Sequence, residues 1–302
     1  MFNAKRASAN AIINRVMSNA NGIGSSKTES RNNSDLKGEN GHKVSDKAHS
    51  VKEVQNLRSV TTQYINHVKD TYDGKVAGNI NADSAKSFLE AKAQEVSSGT
   101  LNTYSSLMNK VADNLNKDNI GSLNRQDIQS IRNDLKEDYG LKSDHLNRAY
   151  DNPEAIKAEM QNSTMSISAD LQLEAGLRAS DSIDSSKWTI NPNNTITIEN
   201  SKGGISYTTK ELSQNTIEKA KSAIEANYKA NYTEYKEALK EAVEKTGQEW
   251  DKNGTHGLRY SFAQERLEEL KNLGMTENEA KGQVSLEMGH SRIDITNHYT
   301  NS

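Results

Sequence analysis

The sequence contains no cysteine, few aromatic residues and no long apolar run. Without Cys among the 302 residues, the chain cannot form disulfides, Cys-bound metal sites or a thiol nucleophile. Aromatic residues make up 5% of the chain and apolar residues 33%, against 26% charged, which predicts small cores and well-solvated helices. No apolar run approaches the ~20 residues that cross a bilayer, and the amino-terminal stretch lacks the apolar region of a secretion signal. We therefore expect a soluble, intracellular protein.

The chain also has no excess of positive charge. Its formal net charge is −3, with 38 Lys and Arg against 41 Asp and Glu. Because counterion release by Lys and Arg supplies most of the non-specific affinity for nucleic acids, this balance argues against indiscriminate binding. Residues 1–50 are locally basic, with eight Lys and Arg against four Asp and Glu. A DNA-binding function would need its basic groups concentrated on one face.

The first half of the sequence predicts a polar tether followed by a helical domain. Residues 1–18 carry a weak helical pattern, and 19–50 are rich in Asn, Ser, Gly and Lys. Such a composition buries too little apolar surface to offset its ordering entropy, so we predict a flexible segment over 1–50. Apolar residues recurring every three or four positions then predict four amphipathic helices, near 51–68, 82–96, 100–115 and 125–139. These would form a compact helical domain over 51–150.

The second half mixes helices with one small sheet. Residues 154–177 have a helical pattern, and the chain is helical again from Thr216 almost to its end. Between them, β-branched residues alternate with Asn, Gly and Pro turns over 187–190, 195–198 and 205–208, which predicts a three-stranded antiparallel sheet. The fold class is therefore mainly α, of the α+β type, with a helical domain followed by a second helical domain (151–302) that carries this small sheet.

The last fifty residues hold side chains suited to phosphodiester chemistry. His256 and Arg259 are three apart and would share a helical face, and His290 and Tyr299 follow. Arginine grips phosphate because its planar group donates two parallel hydrogen bonds and keeps its charge. A tyrosine, with an ordinary pKa near ~10, is a poor nucleophile unless cations and a proton acceptor assist it. Singly, such residues are commonly solvent-exposed or in ordinary ion pairs, but together they predict a phosphate-handling site.

The spacing of these residues resembles the motifs of a known enzyme family. His256-Gly-Leu-Arg259, followed by Gly-His290-Ser-Arg-Ile-Asp-Ile-Thr-Asn-His-Tyr299, resembles the carboxy-terminal boxes of the tyrosine recombinases, the phage-integrase family. The sequence of this last motif is most similar to that of integrases carried by bacterial mobile elements. The resemblance covers most of residues 50–302 and is most specific in the second half.

Two further motifs upstream complete the resemblance. Gly176-Leu-Arg178-Ala-Ser-Asp181 resembles the first arginine box of the family. Lys202, in the turn Asn-Ser-Lys-Gly-Gly between two predicted strands, is similar to the lysine that the family carries on a β-hairpin. The family architecture implies that residues 51–150 form a core-binding domain and 151–302 the catalytic domain.

The resemblance implies a role for each residue of the nucleophilic step. Arg178 and Arg259 would clamp the scissile phosphate and stabilise the charge of its transition state. Tyr299 would attack phosphorus, leaving a 3′-phosphotyrosyl bond and a free 5′-hydroxyl. Asp181 would orient its neighbours rather than react.

Three further residues would handle protons and hydrogen bonds. Lys202 would act as the general acid for the leaving 5′-oxygen, although Lys187 and Lys210 flank the same sheet and are alternatives. His256 would take the proton of the attacking tyrosine as a general base. His290 would donate a hydrogen bond to a non-bridging oxygen of the phosphate.

The same resemblance implies the cofactors and partners. The chemistry needs neither ATP nor a metal ion, and the sequence has no phosphate-binding glycine loop and no metal-ligand cluster. The expected partners are duplex DNA at attachment sites and further copies of the chain, in a tetrameric synapse, with accessory DNA-bending or directionality factors. The expected location is the bacterial cytoplasm, on the nucleoid when DNA is bound.

Several functions fit this pattern. The leading hypothesis is a site-specific recombinase that integrates or excises a mobile element. A resolvase of replicon dimers, or a topoisomerase of the same chemistry, would differ only in its assembly and target. A DNA-binding regulator that has lost catalysis, and a helical scaffold with no role on DNA, are hypotheses of a different class.

Overall fold

The computed structural model describes residues 7–39, 41–141, 147–290 and 293–300, in two structural units. Unit 1 spans residues 1–144 and unit 2 spans 145–302, whereas the sequence analysis placed the boundary at 150. Within the described ranges, no helix combines the length and the apolar character needed to cross a membrane.

Unit 1 is built from helices. They are α1 (Ala9–Ala20), α2 (Lys27–Asn32), α3 (Val51–Thr71), α4 (Ala82–Ala93), α5 (Ser98–Asn116) and α6 (Arg125–Asp138). The four helices predicted from periodicity are confirmed as α3 to α6. Side chains cap their amino termini. At α6, for example, Asn124 and Asp127 each accept a hydrogen bond from the backbone N–H of the other.

The structure differs from the flexible segment predicted over 1–50. Helix α1 packs against α3 and α5, and it buries five residues in the core of unit 1: Ile12, Ile13, Val16, Met17 and Ala20. Arg15 also donates two hydrogen bonds of 2.7 Å to the Asp118 carboxylate. Composition missed this helix because one short apolar face is enough to dock on a core, however polar the residues around it are.

Buried side chains hold the polar stretch that follows α1. The Lys110 ammonium donates to the carbonyl oxygens of Ser45 and Lys47, at 2.7 and 2.6 Å. Asn21 and Ala48 form a parallel backbone bridge. Hydrogen bonds from α5 therefore replace the hydrophobic contacts that the composition of this segment cannot provide.

Unit 2 surrounds a small sheet with helices. The helices are α7 (Pro153–Met160), α8 (Ser166–Ala175), α9 (Ala179–Ser182), α10 (Gln214–Glu225), α11 (Tyr232–Lys245), α12 (Gly257–Asn272), α13 (Glu277–Glu287) and α14 (Ile293–Thr300). The single helix expected over 154–177 is thus two helices, and the helical stretch after residue 216 is divided into five. Helix α12 packs against α8, α13 and α14, which makes it the central helix of this unit.

The predicted three-stranded antiparallel sheet is confirmed. Its strands are β1 (Trp188–Ile190), β2 (Ile196–Ile198) and β3 (Tyr207–Thr208), in the order β1-β2-β3. Trp188 pairs with Ile198, which pairs with Tyr207 on the other side. Ile196 and Ile198 are fully buried and Thr197, between them, is not, so one face of the sheet packs on the core. The connection from β2 to β3 leaves the sheet and carries Lys202.

Candidate active site

The six residues singled out as catalytic all lie in unit 2, on separate elements. Arg178 caps α9, Lys202 lies between β2 and β3, His256 ends a 3-10 turn, Arg259 is in the first turn of α12, His290 follows α13, and Tyr299 is in the last turn of α14. Two residues quoted from the last motif, Ser291 and Arg292, lie outside the described residues.

Two motif glycines let helix ends approach aromatic rings closely. Gly176 ends α8 with a φ of +63°, and a Cβ atom there would lie 2.3 Å from the Phe262 ring. Gly289 follows α13 with the same φ, and a Cβ there would lie 2.4 Å from the Tyr207 ring. Only glycine takes this backbone without strain and fits this space. The carbonyl oxygens of both glycines accept hydrogen bonds from the two arginines predicted to bind phosphate.

Arg259 is fully buried and carries the positive charge at the centre of the site. Its guanidinium donates to the carbonyl oxygens of Gly176 and of Met288, the latter at 2.8 Å, and to His290 Nε2, also at 2.8 Å. Among the described residues no carboxylate lies within ion-pair distance of it, and its Nε makes no hydrogen bond there. A buried cation without a counterion is costly, so this geometry suits an anion that comes from outside the chain.

Arg178 adds a second cation next to the first. Its Nη1 donates to Ser201 Oγ at 3.0 Å and its Nη2 to the Gly289 carbonyl at 3.3 Å. Burial, and then the positive charge of Arg259, lower the pKa of Arg178 from its ordinary value. The charge of Arg259 therefore raises the cost of charging Arg178, and an anion held between the two would lower that cost.

His290 joins Arg259 to the helix that carries the tyrosine. Because a guanidinium only donates, His290 Nε2 must be the acceptor of the 2.8 Å hydrogen bond. The ring proton is then on Nδ1, which donates to Thr296 Oγ1 at 3.0 Å. Burial and the two arginines lower the pKa of His290 to about 3, so the ring is neutral. In this structure both ring nitrogens are engaged within the chain, Nε2 with Arg259 and Nδ1 with Thr296.

His256 is also held neutral. Burial lowers its pKa to about 4, assisted by the positive charges of Arg148, Arg259, Arg178 and Lys202. The ring is therefore neutral near pH 7 and has a free lone pair, although the same burial and charges lower its affinity for a proton. The same charge effects show that Lys202 and both arginines lie near this ring.

Asp181 is fully buried and anchors several groups beside the site. Its Oδ2 accepts a 2.5 Å hydrogen bond from Ser201, and its Oδ1 accepts one of 3.0 Å from Lys187. Arg178 Nη1 lies 3.8 Å from the same carboxylate. Ser201, which precedes Lys202, therefore ties the lysine-bearing turn to the aspartate and to Arg178.

The structure separates the three lysines that flank the sheet. Lys187 is ion-paired with Asp181 at 3.0 Å, and Lys210 with Glu269 at 3.3 Å. Lys202 is exposed and forms no ion pair with a described residue. Of the three, Lys202 is the one whose ammonium remains available to a ligand.

The Tyr299 ring lies against the two central groups of the site. Its centroid is 5.5 Å from Arg259 Cζ and 5.1 Å from the centroid of the His290 ring. Tyr260 lies closer still, with 4.4 Å between ring centroids. The structure thus brings Arg259, His290 and Tyr299 into contact, with Arg178 next to Arg259.

Four residues near the site were missed by the sequence analysis: Arg148, Ser201, Tyr260 and Thr296. Two of them stand directly beside predicted residues, since Ser201 precedes Lys202 and Tyr260 follows Arg259. Their position next to predicted residues in the sequence could have pointed to these two. No comparable signal marked Arg148, because it reaches the site through the fold rather than through a motif.

Comparison with known proteins finds similar folds among solved structures. No family model matches the chain, and no curated protein matches it. Among solved structures, a XerH site-specific recombinase bound to a palindromic difH substrate aligns with a TM-score of 0.62 and 14% identity, over 83% of this chain and 77% of that one. A lambda integrase dimer bound to a COC′ core site aligns with a TM-score of 0.59 and 14% identity, over 83% of this chain and 88% of that one.

A lambda integrase tetramer bound to a Holliday junction also aligns, with a TM-score of 0.51 and 13% identity, over 84% of this chain and 72% of that one. At such identities, the comparison shows the fold alone. These structural neighbours are tyrosine recombinases, and the chain has the tyrosine recombinase fold.

Proposed function

We propose that the chain cuts and rejoins duplex DNA at specific sites through a 3′-phosphotyrosyl intermediate. One observation carries the proposal. Arg259 is a fully buried cation with no described carboxylate partner, and Arg178 and the Tyr299 ring lie beside it. A phosphodiester would supply the missing anion and would place its phosphorus next to a phenol.

The nucleophilic step follows from these neighbours. Arg178 and Arg259 hold the non-bridging oxygens of the phosphate and stabilise the charge that develops on them in the transition state. The Tyr299 hydroxyl oxygen bonds to phosphorus while the bond from phosphorus to the 5′-oxygen breaks. His290 acts on this step indirectly, by holding the Arg259 guanidinium through Nε2 and α14 through Thr296.

Two proton transfers balance the reaction. His256, neutral near pH 7 because its pKa is about 4, takes the phenol proton. Lys202 gives a proton to the departing 5′-oxygen, leaving a free 5′-hydroxyl. A second 5′-hydroxyl reverses both transfers when it attacks the phosphotyrosyl bond. The bond energy is conserved in the protein–DNA ester, so the cycle needs neither ATP nor a metal ion.

A trapping experiment with substrates of random sequence tests this chemistry. A pool of nicked duplexes with a randomised central segment loses its 5′-hydroxyl strand by diffusion after cleavage, which traps the covalent protein–DNA adduct. We expect wild type to form adducts that resist denaturing detergent, and Tyr299→Phe to form none. The proposal fails if wild type forms no adduct, or if Tyr299→Phe forms as much.

We further propose that this activity integrates or excises a bacterial mobile element. This proposal is supported by the sequence of the last motif, which resembles that of integrases of this kind. Sequences recovered from the trapped adducts can be compared with repeats in the DNA flanking the gene. Joining of two such sites, without relaxation of a plasmid that lacks them, is expected of an integrase, whereas relaxation of any plasmid would indicate a topoisomerase.

The partners follow from the same proposal. Duplex DNA and further copies of the chain, assembled as a tetrameric synapse, would be needed to exchange four strands. Unit 1 would then act as the core-binding domain. An open groove of unit 1 has a mostly polar lining that suits this role, with one acidic and one apolar side chain among its residues: Ser50, Lys52, Glu53, Asn56, Asn102, Thr103, Ser106 and Leu107.

A further inference from the structure

The aromatic ring closest to Tyr299 belongs to Tyr260, which immediately follows Arg259 on α12. The two ring centroids are 4.4 Å apart and the planes are tilted by 37°. Aromatic pairs at this separation stabilise each other beyond the area that they bury. Contact with Tyr260 therefore restricts where the Tyr299 ring, and with it the hydroxyl group, can lie.

Tyr260 is itself held in place by a further side chain. The Arg148 guanidinium lies 5.6 Å from the centre of the Tyr260 ring, within the range of a cation–π contact. Arg148 is fixed in turn by hydrogen bonds to the backbone carbonyls of Lys252 and Asn253, at 3.0 and 2.9 Å. The ring against which Tyr299 packs is thus not an isolated side chain.

A second residue of α12 holds the backbone of the same tyrosine. Gln264, one helical turn beyond Tyr260, donates from Nε2 to the Tyr299 carbonyl oxygen at 3.2 Å. The same amide nitrogen donates to Asn147 Oδ1 at 2.8 Å. One face of α12 therefore contacts both the ring and the backbone of Tyr299.

On the basis of the proposed function, we propose that Tyr260 and Gln264 are positioning residues that hold Tyr299 in the active site of its own chain before DNA binds. Attack on phosphorus requires the phenol oxygen to lie about 3–3.5 Å from it in the correct orientation, and a freely rotating tyrosine at a helix end would lose most of its productive encounters. The Tyr260 hydroxyl is not required, because the contact is made by the ring.

A spectroscopic test reports on the contact without any reaction. Fluorotyrosine is placed at position 299 of the full chain, and its fluorine NMR signal is compared with Tyr260 intact, in Tyr260→Phe and in Tyr260→Leu. We expect the ring current of residue 260 to displace the signal with Tyr260 intact and with Phe, and the displacement to be lost with Leu. An unchanged signal in Tyr260→Leu would overturn the proposal.

The rate of adduct formation gives the second test. With the sequence recovered from trapping, we expect Tyr260→Leu to form the adduct roughly tenfold more slowly in a single turnover, since a contact of this kind is worth about one factor of ten. Tyr260→Phe should stay close to the wild-type rate, Gln264→Ala should be slowed, and all should bind DNA as wild type does. A Tyr260→Phe variant as slow as Tyr260→Leu would show that the hydroxyl matters and would contradict positioning by the ring.

The matched control is Tyr139→Leu, the same substitution at an exposed tyrosine of unit 1. It should leave both the fluorine signal and the rate unchanged. If wild type forms no adduct at all, the proposed function fails, whereas the fluorine signal still decides whether Tyr260 holds Tyr299.

Discussion

The site is organised around Arg259, a buried cation that has no carboxylate partner among the described residues. Arg259 is held by two carbonyl oxygens and an imidazole nitrogen, which fix its orientation but leave its charge unpaired among the described residues. Asp181, a carboxylate near the arginines, is engaged by Lys187 and Ser201. Arg178 Nη1 also lies 3.8 Å from this carboxylate, so Arg259 is the arginine whose charge a phosphate would neutralise, and Asp181 is the structural partner of Lys187.

The choice of Lys202 over Lys187 as general acid leads to a residue-scale prediction. We expect Lys202→Ala to slow cleavage by about 10²–10⁴-fold, the usual contribution of a general acid. A substrate with sulfur in place of the bridging 5′-oxygen should restore much of this loss, because a thiolate leaves without a proton. Measurement is by single-turnover adduct formation with each substrate.

Lys187→Ala is the matched control for that experiment. It removes a lysine that is ion-paired with Asp181. Any decrease in the cleavage rate should then come from disturbed positioning of Asp181, and the sulfur substrate should not restore the rate. If the sulfur substrate rescued Lys187→Ala and not Lys202→Ala, Lys187 would be the general acid and the assignment to Lys202 would be wrong.

At this scale the sequence predicted which candidate residues lie together better than it predicted the residues that support them. Arg259, His290 and Tyr299 were found because motif spacing preserves the order of functional groups along the chain. Tyr260 was not found, since spacing does not report which side chains meet in space. The hydrogen bonds of His290 were likewise hidden, because its tautomer depends on Arg259 and Thr296 together.

Among the elements, α1 departs most from the sequence prediction. Its apolar face is short, but Ile12 and Val16 are fully buried against the helices of unit 1. The following stretch is fixed by hydrogen bonds from Lys110 rather than by apolar contacts. Helix α1 is therefore part of the core and should contribute directly to the stability of unit 1.

That role predicts the effect of truncating a core residue of α1. Ile12→Ala should lower the free energy of unfolding of unit 1 by about 2–5 kcal/mol, the usual range for a fully buried aliphatic side chain. Ile23→Ala, at a position 52% exposed just after α1, should change it by no more than about 0.5 kcal/mol. Urea unfolding followed by circular dichroism measures both, and equal effects would mean that α1 is not docked in solution.

The other elements were predictable to the extent that local signals marked their ends. Asn124 and Asp127 form the capping box at which α6 begins, and the Asn, Gly and Pro turns gave the three strands. The break between α7 and α8 carries neither Gly nor Pro. The Ser163 hydroxyl instead accepts from the Met165 backbone N–H there, a local bond that competes with the helix and leaves the apolar pattern unchanged.

For the whole molecule, the net charge is a poor guide to the site. The chain sums to −3, yet Arg148, Arg178, Lys202 and Arg259 all act on one imidazole in unit 2. Basic groups are therefore concentrated around this imidazole within a weakly acidic chain. Burial first, and nearby positive charge second, lower the pKa values of His256 and His290 and keep both rings neutral, which ties the stability of unit 2 to pH.

The last prediction concerns this dependence. His256 and His290 have pKa values of about 4 and about 3 in the folded chain, below the ordinary value of 6.5. As the pH is lowered, these histidines therefore take up protons in the unfolded chain before they do so in the folded chain. The free energy of unfolding is thus nearly constant above about pH 6.5 and falls as the pH drops below that value. Between pH 7 and pH 5 we expect unit 2 to lose roughly 4 kcal/mol from this source, about 2 kcal/mol for each histidine.

Calorimetry at several pH values measures this loss of stability. The transition of unit 1 is identified with the Ile12→Ala variant, which should lower the melting temperature of that transition alone. In His290→Gln the unit 2 transition should vary less steeply over this pH range, since one of the two groups that take up protons on unfolding is gone. An equally steep dependence in the variant would mean that His290 is not held neutral by the fold. The unit 1 transition, which contains neither histidine, should show the same pH dependence in wild type and in His290→Gln.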